Sequence, residues 1–238
     1  MPRIAKWLGD TIENLLDSKF PLLTVIDVRN ITDSIKRITF QGEPEVSAFS
    51  IGSAVLIRVS DTEYRNYTPS AYDAVKGVME IIVHVHGSGP GSKLMNHLRP
   101  GDVLRTSIPR GIGWYRETVP AYILWGDETS LGLAYSYHSR FVQQGNAFHY
   151  YFELNEENRE APAHLGLSNY TVFKKGTVFN NPALLNELPV WGFPENETTY
   201  VVTGNVKAVQ TIRKVIKTMD KKGRILSKGF WLEGKTGL

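Results

Sequence analysis

The hydrophobic period of this chain changes at a glycine-bearing connector over residues 110–120, and the change separates two kinds of fold. From residue 22 to the connector, apolar and polar residues alternate. Residues 22–29, 34–40, 54–59, 65–72, 78–85 and 103–108 read as strands. Turn signals at Gln41-Gly42, Ser60-Asp61, residues 73–77 and Pro100-Gly101-Asp102 separate them. Six short strands with one helical insert predict a closed antiparallel barrel. After the connector, strands at 121–125, 147–154, 170–174, 199–203 and 225–232 alternate with helices at 129–144, near 182–187 and at 205–222. Residues 155–167 read as a polar loop. That alternation predicts an α/β unit with a parallel sheet covered on both faces. The expected organisation is an N-terminal helix over 1–18, the barrel over 19–116 and the α/β domain over 117–238.

The N-terminal segment sets Ile4, Trp7, Leu8, Ile12, Leu15 and Leu16 at helical spacing. Its polar face mixes Arg3 and Lys6 with Asp10, Glu13 and Asp17, unlike the basic face that suits anionic lipid. The expectation is a helix packed on its own domain or on a second subunit.

Composition narrows the chemistry. The 238 residues contain no cysteine, which excludes disulfides, thiolate catalysis and a cysteine-ligated iron–sulfur cluster within the chain. Redox work would therefore need a bound cofactor. A net charge of +3 is too small to argue for nucleic acid, yet it suits an acidic small ligand. No run of 18 apolar residues and no signal-peptide pattern is present. The expectation is a cytoplasmic protein without stable membrane insertion or nucleic-acid partner.

Chemistry concentrates in residues 63–102. Arg65-Asn66-Tyr67-Thr68 places a cation, an aromatic plate and a hydroxyl on one short strand, with Arg65 and Tyr67 on the same face. Downstream, Gly87-Ser88-Gly89-Pro90-Gly91-Ser92 follows an apolar strand and precedes a short helical run. Glycines let backbone N–H groups approach a ligand, and a helix N-terminus favours negative charge. Together they can clamp a pyrophosphate from two sides while Tyr67 stacks on an attached ring. A tight turn would need a similar Gly-Pro-Gly segment. His84 and His86 share one face of the preceding strand, opposite Val83 and Val85. No third ligand stands at metal-binding spacing, so no metal site is expected. Gly126-Asp127-Glu128-Thr129 sits at the end of the first α/β strand, where open sheets bind ligands, though Asp127 and Thr129 would also serve as helix caps. There is no G-x-G-x-x-G.

These motifs resemble a known family. Arg65-Asn66-Tyr67-Thr68 matches the R-x-Y-[ST] mark of the ferredoxin-reductase superfamily. His86-Gly87 with Gly89-Pro90-Gly91-Ser92, then Gly126-Asp127-Glu128-Thr129-Ser130-Leu131, then Gly229-Phe230-Trp231-Leu232-Glu233-Gly234 are similar in kind and order to motifs of siderophore-interacting proteins, the FAD-dependent ferric-siderophore reductases. The resemblance implies a six-stranded flavin-binding barrel followed by a ferredoxin-reductase-like α/β domain. It implies FAD as cofactor, held by Arg65, Asn66, Tyr67, Thr68, Val83, His84, Val85, His86, Gly89, Pro90, Gly91 and Ser92, with Asp127, Thr129, Ser130 and Trp231 joining from the second domain. Thr68 would hydrogen-bond the central flavin ring. The implied activity is reduction of Fe(III) in a siderophore to Fe(II), with electrons from NAD(P)H or a ferredoxin-like donor and no acid–base residue. Lys228, Lys235 and Arg224, around Phe230-Trp231, are the expected contacts for an anionic ferric siderophore; the plain alternative is a solvated surface. A general flavin or ferredoxin reductase and a non-catalytic siderophore-binding protein remain the competing readings. Two positions depart from the family pattern: Lys93-Leu94 where a tryptophan is usual after the serine, and Asn205 in place of an acid.

Overall fold

The computed structural model describes Trp7 and residues 20–43, 49–87, 89–111, 113–193, 197–219 and 223–235. Apart from Trp7, the expected helix over 1–18 lies outside these residues. The described residues fall into two compact units, one ending at Tyr115 and one beginning at Arg116.

The first unit is antiparallel. Strands β1 (Leu22–Asn30), β2 (Ile35–Gln41), β5 (Pro69–Asp73), β6 (Val78–His84) and β7 (Val103–Arg105) form one sheet in the order β5-β6-β2-β1-β7. Strands β3 (Val55–Arg58) and β4 (Tyr64–Tyr67) form a hairpin with Ile57 opposite Arg65. Bridges from Ile57 to Thr106 and from Ala54 to Arg110 tie β3 to the segment after β7. On the other side β4 runs into β5 through Thr68, so the strands close into a barrel. Inward residues alternate along each strand, as in Ile38 and Phe40 of β2 and Met79, Ile81 and Val83 of β6, and they share one core. The stretch expected as a single strand over 65–72 is split at Thr68. Pro69 has no N–H to donate to a ladder, and the register against β6 shifts between Pro69 and Ala71. Helix α1 (Pro90–His97) is the one helical insert among the described residues of this unit, apart from the segment of Trp7.

The second unit is parallel. Strands β8 (Ala121–Gly126), β9 (Ala147–Leu154), β10 (Tyr170–Lys174), β11 (Thr198–Asn205) and β12 (Arg224–Trp231) stand in the order β10-β9-β8-β11-β12. The order reverses between β8 and β11, the point at which doubly wound sheets bind ligands. Every residue of β8 is buried, because helices cover both faces. Tyr122 turns toward α2 (Leu131–Gln144), where its ring lies 4.8 Å from that of Phe141. Ile123 turns the other way, into a core shared with Ile212, Val215 and Ile216 of α5 (Val206–Thr218). Gly145 ends α2 in the left-handed conformation, with its N–H reaching the Phe141 and Val142 carbonyls. The segment expected as a polar loop over 155–167 instead holds a 3-10 turn, Glu156–Asn158, and a short helix α3 (Ala161–His164). Pro162 in its first turn suits a helix start, since no N–H is needed there. Helix α4 (Pro182–Asn186) is capped by the Asn181 side chain.

Candidate functional site

In the first unit, β4 places Arg65 and Tyr67 on one face and leaves Asn66 exposed on the other. Helix α1 meets that face with its first turn. A Cβ built on Gly91 would lie 2.6 Å from the Tyr67 hydroxyl and 3.5 Å from Cγ of Arg65, so only glycine permits this approach without displacing the tyrosine. The predicted arginine, tyrosine and glycine turn are thereby brought together. Gly89 caps α1 without a side-chain hydrogen bond, and no acidic residue stands in the first turn. The N–H groups of Gly91 and Ser92 have no intrahelical acceptor at these positions, which makes this end electropositive.

Two local devices hold the geometry. Nη2 of Arg65 donates to Oε1 of Glu63 at 3.1 Å and Nη1 donates to the Tyr64 carbonyl at 2.8 Å, which fixes the guanidinium. The Ser92 hydroxyl donates to the His86 carbonyl at 2.7 Å and accepts from the His86 N–H at 3.1 Å. Its proton is committed to the His86 carbonyl, so the hydroxyl ties the start of α1 back to the end of the preceding strand segment. At the far end of α1, Nζ of Lys36 donates to the carbonyl of Asn96 at 3.0 Å and to its Oδ1 at 2.8 Å. Burial, then the charge of Arg99, lowers the Lys36 pKa from its usual value.

The remaining predicted residues of this unit divide by face. Thr68 is half-buried just before Pro69. The His84 and His86 rings stack with centroids 4.9 Å apart. Val85 is partly buried against the barrel core, whereas the side chain of Val83 lies inside it, away from the histidine face. Burial raises the Tyr67 hydroxyl well above the usual tyrosine range, although the charge of Arg65 pulls the other way. Tyr67 is therefore neutral at physiological pH.

In the second unit a polar cluster sits at the C-terminal edge of the sheet. Asp127, after β8, is buried and accepts the Thr129 N–H at 2.9 Å, the Thr129 hydroxyl, the Asn205 N–H at 2.9 Å and the Trp231 indole N–H at 2.6 Å. Burial raises its pKa, while the bonds from Thr129 and Trp231 oppose that. Glu128 is buried beside it and accepts Lys175 Nζ at 2.6 Å and the Asn155 N–H at 2.8 Å. Burial pushes this carboxyl up, but the Asn155 N–H and the Lys175 ammonium outweigh it and hold the pKa below the usual glutamate value. Lys175 also stands over the Trp231 ring, 5.3 Å from its centroid. Ser130 is fully buried and its hydroxyl accepts from Thr203 at 2.8 Å. Asp127, Thr129, Ser130 and Trp231, expected as cofactor contacts, are thus bonded to one another or to their own unit.

The expected substrate cations are not gathered. Arg224 opens β12 and Trp231 ends it, roughly 23 Å away at about 3.3 Å per residue. Arg224 is therefore at the opposite edge of the sheet from Lys235, which lies beyond Trp231, and Lys228 stands exposed between them. Lys36 and Lys175 carry no local signal in the sequence. Neither lies in a motif, and their partners are 60 and 47 residues away.

Residues 22–115 match the model of the oxidoreductase FAD-binding domain. A comparison with curated protein sequences gave no match. Among solved structures, a siderophore utilization protein from T. fusca is similar at a TM-score of 0.76 and 24% identity, covering 92% of this chain and 95% of that one. The siderophore-interacting protein SipS from Aeromonas hydrophila is similar at 0.70 and 20%, covering 90% and 99%. Phthalate dioxygenase reductase, described as transferring electrons from pyridine nucleotides to a [2Fe-2S] centre, is similar at 0.75 and 15%, covering 92% of this chain and 71% of that one. The chain thus carries an oxidoreductase FAD-binding domain at residues 22–115, within a ferredoxin-reductase-like fold that it shares with siderophore-interacting proteins.

Proposed function

We propose that the protein is an FAD-dependent reductase of ferric siderophores, serving iron acquisition in the cytoplasm. The observation that carries the flavin half is the packing of Gly91 on Arg65 and Tyr67, which sets a fixed guanidinium beside an uncapped helix start. Arg65 and the Gly91 and Ser92 N–H groups would hold the FAD pyrophosphate between them. The Tyr67 ring would flank the isoalloxazine, the Thr68 hydroxyl would hydrogen-bond the flavin, and Val85 and His86 would line its edge. FAD, when bound, supplies an electron store that can be filled by a hydride or single electrons and emptied one electron at a time. The proton that a reduced flavin gives up with its electrons can pass to solvent, so no acid–base residue is required of the protein. Its residues bind and orient the cofactor and gather the acceptor.

The acceptor is supported by likeness to siderophore proteins over nearly their whole length. Exposed Lys228 and Lys235 would attract an anionic ferric chelate. Reduction weakens the hold of such a ligand on iron and releases it. Electrons come from NAD(P)H or a ferredoxin-like protein.

Steady-state turnover of the FAD-loaded protein tests this, with a ferric catecholate, a ferric hydroxycarboxylate and an iron-free quinone as alternative acceptors. Ferrous iron, trapped by a chelator, is expected to form at least about tenfold faster from a ferric siderophore than the quinone is consumed, a difference of about 1.4 kcal/mol. Equal rates would leave a general flavin reductase. Ferric siderophore binding without turnover would leave a binding protein.

A further inference from the structure

We infer that the Asp127 carboxylate fills the anion position of the α/β unit and excludes a dinucleotide phosphate from the crevice between β8 and β11. The inference rests on the second unit alone and does not depend on the flavin reading. In doubly wound sheets the pyrophosphate lies where the strand order reverses, on backbone N–H groups of the first strand-to-helix turn. Here the order reverses between β8 and β11. The N–H groups presented there, from Thr129 after β8 and Asn205 at the end of β11, both point at Asp127. The Trp231 indole adds a donor from β12 and the Thr129 hydroxyl a fourth. The two oxygens of the carboxylate therefore hold the donors that a phosphate would need.

The backbone is shaped for that carboxylate. Gly204 has φ of +102°, and a Cβ there would lie 2.5 Å from Oδ2 of Asp127. A glycine that lets the chain approach a ligand's phosphate is used here to approach the protein's own acid. Behind it, Ser130 and Thr203 bond each other and are buried. A nicotinamide donor would have to anchor its phosphates elsewhere.

Amide NMR of the FAD-loaded protein, titrated with inorganic pyrophosphate and separately with NADPH, reads the site directly. In the wild type the Thr129 and Asn205 amides are expected not to shift. In Asp127→Ala they are expected to shift saturably with pyrophosphate, with affinity at least about tenfold above the wild type. Saturable shifts at both amides in the wild type would overturn the inference. So would a folded Asp127→Ala that gains nothing. Should that variant not fold, Trp231→Phe decides, since it keeps the carboxylate and removes one donor. Silent Thr129 and Asn205 amides in that variant support the plug, and saturable shifts there refute it.

Discussion

At the scale of single residues, charge and close approach decide what the two clusters can do. Arg65 is held by Glu63 and the Tyr64 carbonyl before any ligand arrives, so little ordering is left to do on binding. Arg65→Ala is expected to weaken FAD binding by about 10- to 100-fold, the range of a charge-assisted hydrogen bond. Fluorescence titration of the apoprotein checks this, and unchanged affinity would misplace the clamp. In the second unit, Glu128 and Lys175 are a sheltered pair. Removing the cation alone leaves a buried charge uncompensated, so Lys175→Met should cost about 3–5 kcal/mol in chemical denaturation. The pH dependence follows from the lowered Glu128 pKa. A carboxyl whose folded pKa lies below its unfolded value stabilises the fold above the unfolded value of 4.5. That stability is lost as pH falls through the lower, folded value. Asp127, with its raised pKa, contributes in the opposite sense in the acid range. The difference between the stability curves of the wild type and Glu128→Gln isolates the first effect. It should shrink as the solution is acidified below pH 4.5, and a pH-independent difference would contradict the assignment.

At the scale of elements, α1 is positioned from both ends. Gly91 seats its start against β4, and Lys36 of β2 holds its last turn through Asn96, where a cation also suits the helix dipole. Lys36→Met should loosen the helix, seen as about tenfold faster hydrogen exchange at the 94–98 amides for a loss near 1.4 kcal/mol. Exchange unchanged there would show that Gly91 packing alone suffices. These elements were legible in the sequence to different degrees. Period-two alternation located the barrel strands, and its replacement by strand–helix alternation located the parallel sheet. The break at Thr68 was missed because alternation continues across Pro69, while the ladder it needs does not. The helix Ala161–His164 was missed because one short turn has too few residues to show a period. The glycine turn and the Arg65–Tyr67 face were readable because both are local. The pairings Lys36–Asn96 and Glu128–Lys175 were not, because topology rather than spacing brings them together. Asp127 carried both readings in sequence, and the structure shows it as a cap that also spans three strand ends.

At the scale of the molecule, the chain divides its work between a barrel that grips a cofactor and an α/β unit whose ligand crevice is filled by its own acid. No helix among the described residues is long and apolar enough to cross a membrane. The small positive net charge favours encounter with anionic chelates. Under the proposed function, flavin held by the barrel passes electrons to iron in a siderophore. The most direct measurement is a single-turnover one. Protein loaded with FAD is reduced anaerobically with a measured amount of dithionite, then mixed with a ferric siderophore and a ferrous-iron chelator while visible absorbance is followed. Oxidised-flavin absorbance is expected to return in step with the ferrous complex, in proportion to the electrons the flavin held. Flavin that stays reduced while the ferric siderophore persists would contradict it.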